Sequence, residues 1–292
     1  MYSNIVQIIL PAIAYLVFAP VVGGLLAGID RRIAARMQRR KGPPLLQPFY
    51  DVFKLCSKQG VSVNQVQDFY VAGFLLFVII SGIFFFTRGD ILLVVFTLTL
   101  ASVCLVVAAY SSNSPYSQIG AERELLQTMA YEPMLLLTAM GFYMAFKTFR
   151  LSDLVSGRLP GIVYLPGVFI GLAYILTIKF RKSPFDLSMS HEAHQELVKG
   201  IVTEFSGKTL AMVEVAHWYE NIFLLGFVYL FFVWNEPLSP LLGLLACAAV
   251  YVLEIFIDNC CARIKWQGVL SSTWAVTLVA GFVNLLVLSF IK

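Results

Sequence analysis

Apolar and polar residues follow one another along this chain in long blocks, not in the short periods of an amphipathic protein. Apolar runs cover roughly 5–29, 67–87, 90–111, 125–149, 162–180, 212–234, 239–258 and 268–291, each bounded by charges or helix breakers. An α-helix needs about 20 residues to cross the hydrocarbon layer. Lipid offers the backbone no hydrogen-bond partner outside the segment, so each run predicts a helix. The expected fold is therefore an all-α integral membrane protein of about eight transmembrane helices, a single domain over 1–292. Pro11 and Pro20 each remove a backbone donor from the first run, which predicts a kinked or broken first helix. That run lacks a basic leader and enters a cationic cluster, so it reads as a retained helix and not as a cleaved signal. Pro184 disfavours helix at Ser183, placing the end of the fifth span near Lys182.

Composition sharpens the picture. With 59% hydrophobic and 13% charged residues and a mean hydropathy of +0.80, too little polar surface remains to coat a soluble domain. The net charge of +4 matters through its distribution. Lysine and arginine concentrate in 30–66, 112–124, 181–211 and 259–267, so the positive-inside rule makes these loops cytoplasmic and both termini external. Five cysteines, Cys56, Cys104, Cys247, Cys260 and Cys261, show no C-x-x-C spacing, which indicates neither an iron–sulfur cluster nor a disulfide framework.

Two cytoplasmic loops are long. The first begins with Arg31, Arg32, Arg36, Arg39, Arg40 and Lys41, then passes Gly42-Pro43-Pro44 into a piece where Phe49, Val52, Phe53 and Cys56 fall at helical spacing. The basic run alone suits anionic lipid as well as a docked protein. The amphipathic piece tips the balance toward partner docking. The third loop carries Asp186, Glu192, Glu196 and Glu204, with His191 and His194 three apart. Two histidines without an obvious third ligand read as surface or proton-buffering groups before they read as a metal site.

Carboxylates also occur in or beside the apolar runs: Glu124 and Glu132 on the fourth, Glu214 and Glu220 on the sixth, Glu254 and Asp258 on the seventh. A carboxylate at mid-bilayer costs about 2.5–3.5 kcal/mol on insertion scales, so such groups face a protein interior or a hydrated path. Singly, each could be a neutral acid locking helices together. As a set on neighbouring helices they point to a proton relay.

The blocks R-K-S-P-F-D-L at 181–187, E-L-V-K-G at 196–200 and T-E-F-S-G at 203–207 resemble the third cytoplasmic loop of the quinone-proximal membrane subunit of respiratory complex I. D-R-R-I-A-A-R-M-Q-R-R-K-G-P with L-L-Q-P-F-Y-D-V-F-K-L resembles that family's first loop, and Y-S-S-N-S-P-Y-S-Q-I-G-A with Q-T-M-A-Y-E its third-to-fourth helix region. The resemblance covers nearly the whole chain. It implies that Glu132, Glu196 and Glu204 occupy the family's Y-E, E-L-V and T-E-F-S-G glutamate positions. At 187–198 the chain reads L-S-M-S-H-E-A-H-Q-E-L-V, longer than the respiratory pattern, and Glu122 and Glu124 flank Arg123. These departures are similar to the membrane subunit of Ech-type energy-converting [NiFe] hydrogenases, and they put quinone binding in doubt.

The resemblance implies no cofactor on this chain. A [NiFe] centre and iron–sulfur clusters are expected in partners: hydrogenase large and small subunits, a ferredoxin-like subunit and an antiporter-like membrane subunit. Glu132, Glu196, Glu204, Glu214, Glu124, Asp186, Glu220, Glu254 and Asp258 are the expected relay. Two other readings stay open: a quinone-linked subunit, and a secondary ion transporter with no redox partner. No internal repeat supports the latter.

Overall fold

The computed structural model describes residues 2–61, 64–155, 157, 159–189 and 199–291, with side chains from Ile9 onward in the first helix. Helices form at each of the eight apolar runs, as α1 (Tyr2–Met37), α3 (Gln65–Phe86), α4 (Ile91–Tyr110), α5 (Pro115–Phe146), α8 (Pro166–Lys179), α9 (Gly207–Phe232), α10 (Ser239–Cys260) and a last run that begins with α11 (Trp266–Val276) and ends with α12 (Val283–Ile291). Short helices fill the connections: α2 (Gln47–Ser57), α6 (Leu151–Val155) and α7 (Gly161–Tyr164). Six of these runs are long and apolar enough to cross a membrane: α1, α3, α4, α9, α10 and the last. α5 is long but carries Glu122, Arg123, Glu124 and Glu132, and α8 has 14 residues.

Local chemistry sets several ends. The Asn64 and Asp90 side chains accept from Val66 N and Leu92 N, capping α3 and α4. Pro115 and Pro166 open α5 and α8, where no intrahelical donor is needed.

Four expectations need correction. Of the kinked or broken first helix expected, the break is absent: α1 is helical through Pro11 and Pro20. Pro20 cannot donate to the Leu16 carbonyl, and the Tyr219 hydroxyl donates to it instead at 2.7 Å. α1 also continues to Met37, so Arg31, Arg32 and Arg36 lie on the helix and not in a loop. α5 begins at Pro115, which places Glu124 on a buried helix face where a loop ending at 124 was expected. The fifth run is split at Leu165–Pro166 into α7 and α8, and α8 ends at Lys179, three residues before Lys182.

α9 is the central helix, packed against α1, α2, α3 and α10. Val213, Ala216, Phe223, Leu224, Phe227, Val228 and Phe231 on it are fully enclosed. Phe85, Phe223 and Phe227 form an aromatic cluster with centroids 5.2–5.4 Å apart. Between helices in lipid it is this close packing, and not water exclusion, that drives association.

The four basic connections meet at one end. Val61 N donates to Ser206 Oγ at 2.8 Å, Gln38 Nε2 to Asn259 Oδ1 at 3.3 Å, and Ile264 N to the Pro184 carbonyl at 3.2 Å. At the other end the backbones around Asp90 and Arg150 pair, with Ile91 N donating to the Phe149 carbonyl at 3.0 Å and Leu151 N to the Gly89 carbonyl at 3.1 Å, and Asn235 N donates to the Gly157 carbonyl at 3.1 Å.

Candidate charge relay and its cavity

At the basic end a cavity of about 450 Å³ opens between the last turns of α1, the segment after α8, the middle of α9 and the end of α10. Its lining is mixed: the ionisable side chains Asp30, Arg31, Arg40, Lys179, Arg181, Lys182, Asp186, Glu214, His217 and Asp258 share it with apolar ones, among them Phe180, Trp218 and Tyr251.

Three of these cations reach inward. Lys182 Nζ bonds Asp30 and lies 3.3 Å from Asp258 Oδ2, while Ser183 N donates to Asp258 Oδ1 at 2.8 Å. Burial works against the Lys182 charge, and the two carboxylates more than offset it, raising its proton affinity. Arg181 Nη2 lies 3.3 Å from Glu124 Oε1, and Ser188 Oγ bonds the other oxygen of Glu124. Lys179 Nζ lies 3.0 Å from Glu220 Oε1, with both side chains almost wholly enclosed. Beside them, Arg263 Nη2 meets Asp186 Oδ2 at 2.9 Å. Burial pushes the Asp186 carboxyl from its usual 3.8 up to about 6, against the pull of Arg263.

The Lys179 pair continues in both directions. Toward the cavity, His217 Nδ1 lies 3.4 Å from Glu220 Oε2. Away from it, Lys179 Nζ sits 4.2 Å above the Tyr131 ring and 3.5 Å from Ser102 Oγ. Ser102 Oγ and Tyr131 Oη are 3.0 Å apart, and Tyr131 donates to Thr128 Oγ1 at 3.3 Å. A continuous polar chain thus leads from the cavity wall to the α4–α5 contact. Glu132 follows Tyr131 there, half-buried.

Of the expected relay residues, Asp186, Glu214 and Asp258 line the cavity, and Glu124 and Glu220 join it through cations. Glu254, one turn before Asp258 on α10, is fully buried, and neither carboxyl oxygen has a hydrogen-bond partner among the described residues. Glu204 sits half-buried in the turn before α9, its carbonyl accepting from Gln67 Nε2 at 3.3 Å. Glu192, Glu196, His191 and His194 lie outside the described residues. Among the described residues no three His, Cys, Asp or Glu side chains come together as a metal site.

The sequence reading missed the partners of these groups: Asp30, Lys179, Arg181, Lys182, His217 and Arg263. A signal existed for two of them. Lys179 interrupts an apolar run as conspicuously as any glutamate does, and His217 stands three before Glu220 on one helix face. For the rest, which acid meets which base is decided by helix contacts across long stretches of sequence.

Of the expected docking cations, Arg31 pairs with Asp51 at 2.6 Å, with both side chains partly solvated. Arg32, Arg36, Arg39, Arg40 and Lys41 are exposed. The amphipathic piece is α2, with Phe49 packed on Trp218 at a centroid distance of 5.1 Å and Phe53 exposed.

A model of the NADH dehydrogenase family matches residues 10–289. The H subunit of the NADH-quinone oxidoreductase of Dehalococcoides mccartyi (strain CBDB1) is 27% identical over 90% of this chain and 80% of its own length. Hydrogenase-4 component C of Escherichia coli (strain K12) is 28% identical over 90% of each. A chain of the membrane-bound sulfane sulfur reductase, an archaeal respiratory membrane complex, superposes with a TM-score of 0.83 at 26% identity, covering 95% of this chain and 99% of that one.

Proposed function

The chain belongs to the NADH dehydrogenase family, and from that membership we propose that it is the membrane anchor and ion-coupling subunit of a ferredoxin-linked, energy-converting [NiFe] hydrogenase complex. It is a membrane subunit of the kind found in complex I-like respiratory and hydrogenase complexes. The basic end faces the cytoplasm and receives the peripheral redox arm, and both termini lie outside. The [NiFe] centre and iron–sulfur clusters belong to partner subunits, and an antiporter-like subunit is the neighbour within the membrane. Arg31 is engaged by Asp51, which leaves the exposed Arg32, Arg36, Arg39, Arg40 and Lys41 of the expected docking run, and of these Arg39, Arg40 and Lys41, beyond the last turn of α1, are assigned to the arm.

The polar chain from the cavity through His217, Glu220 and Lys179 to Ser102 and Tyr131 carries this reading. It gives charge arriving at the docked arm an electrostatic route into the bilayer. Glu124, Glu132, Asp186, Glu196, Glu204, Glu214, Glu254 and Asp258 extend the same relay. A quinone-linked role is the second reading, favoured by the family's NADH-quinone oxidoreductase members and by a cavity within the usual range for small ligands. Against it, Arg181, Lys182 and Asp258 share the cavity wall with Phe180, Trp218 and Tyr251, so a lipophilic ring there would lie beside buried charge. Hydrogen evolution from reduced ferredoxin by the purified intact complex, without quinone reduction, is the expected result. Quinone reduction without hydrogen evolution would move the chain to the second reading.

A further inference from the structure

The basic run of α1 does not act as one surface. Arg31 points to the cavity and Asp51, whereas Arg32 and Arg36, one turn apart on another face, have no carboxylate partner among the described residues. These two flank a separate groove of about 330 Å³ whose wall is apolar, formed by Ile29, Ile33, Met37 and Leu45 with the arginine stems. The groove is built by the chain returning on itself. A Cβ on Gly28 would collide with the Leu45 carbonyl, and one on Gly42 would press on Arg32 Cα at 3.0 Å, so glycine at both positions lets the 42–45 segment lie against α1.

The face that bears these arginines is the outward face of the spanning helix. Phe18, Val22 and Ile29 are exposed by 64%, 43% and 37%, and with Arg32 and Arg36 they follow the helical repeat along one line. An apolar stripe that ends in two guanidinium groups without a described carboxylate partner, beside a groove with no polar wall, matches one molecule end to end. We infer that Arg32 and Arg36 hold the phosphate of an anionic phospholipid, with one acyl chain lying in the groove along Ile29, Ile33 and Leu45. Guanidinium groups one turn apart can grip a phosphate from two sides. A protein helix would leave the narrow groove empty, whereas an acyl chain fills it and continues onto Val22 and Phe18. The site is independent of what the redox arm carries.

The test uses the intact complex in nanodiscs of phosphatidylcholine containing a trace of phosphatidylglycerol with a photoreactive acyl chain. Label is expected on the peptides covering 29–45, displaced by unlabelled phosphatidylglycerol and not by phosphatidylcholine. In the Arg32→Gln/Arg36→Gln variant the competing affinity should fall about thirtyfold, the product of two interfacial cation contacts. Ile29→Trp, which fills the groove and keeps both charges, should also reduce the label, and it serves as the readout if the double variant fails to assemble. Equal displacement of the label by the two lipid classes would overturn the site. So would unchanged labelling in either variant, or a wild-type crosslink from this groove to a neighbouring protein chain in place of lipid.

Discussion

Asp186 is the loop carboxylate with the clearest conflict between burial and pairing. Burial raises its carboxyl to about 6, while Arg263 at 2.9 Å favours the charged form. The folded chain therefore binds this proton more tightly than the unfolded chain does. The stability gained from that proton is fully present below the usual value of 3.8 and is lost as pH rises through about 6. A carboxyl stretching band in the infrared should disappear with a midpoint near pH 6 in the wild type and be missing in Asp186→Asn. A midpoint near the usual carboxylate value would show the site to be wetter than its burial implies. Lys179 and Glu220 pose the opposite case, since each is enclosed and each answers the other at 3.0 Å. Removing one partner of a buried pair strands the other and costs about 3–5 kcal/mol, whereas replacing both by apolar groups of similar volume costs little. Glu220→Gln alone should lower the thermal midpoint of the purified complex, and Lys179→Met/Glu220→Leu should regain most of it. Equal midpoints for the single and double variants would mean that the pair is not desolvated as a unit.

At the scale of the helix, the Leu16 carbonyl shows how an interior proline is tolerated. Pro20 has no N–H to give it, and Tyr219, 203 residues away, supplies a hydroxyl at 2.7 Å. Hydrogen bonds between membrane helices average about 0.6 kcal/mol and reach about 1.7. Tyr219→Phe should cost that much in the wild-type background and almost nothing in Pro20→Ala, where the helix satisfies its own carbonyl. Unfolding of the four chains in detergent closes the cycle, and strictly additive effects would disprove the compensation. The same helix shows which features of the fold are legible in sequence. The positions of the apolar blocks were, because lipid demands about 20 apolar residues wherever a helix crosses. Helix ends were not, wherever polar residues continue a helix past its apolar run. Arg31, Arg32 and Arg36 extend α1 past its apolar run, and Glu122 to Glu124 belong to α5. The split at Leu165 and Pro166 went unread because the apolar pattern continues across it.

Across the whole molecule, the four basic connections converge on one end, where the cavity lies, and the polar chain runs from it between α4, α5, α8 and α9. The acids of this site were legible because a carboxylate in an apolar run is conspicuous. Their partners were not, since Asp30 meets Lys182 only through the packing of α1 beside the segment after α8. This separation has a functional corollary. If the cations are fixed counter-charges and the carboxylates exchange protons, neutralising an acid that no cation holds by an ion pair should spare assembly and abolish coupling. Glu132 and Glu204 are such acids, half-buried and without an ion pair to a described residue, the first next to Tyr131 on α5 and the second in the turn leading into α9. Glutamine keeps their shape and most of their hydrogen bonding but removes the proton. In Glu132→Gln and Glu204→Gln the complex should assemble with normal subunit content and turn over its redox substrates, while proteoliposomes develop no ion gradient. Glu220→Gln should differ, losing stability as well, because it leaves Lys179 unpaired. Gradient formation at the wild-type rate in both neutral variants would remove these acids from the relay. Failure of either to assemble would show it to be a neutral acid that locks helices together.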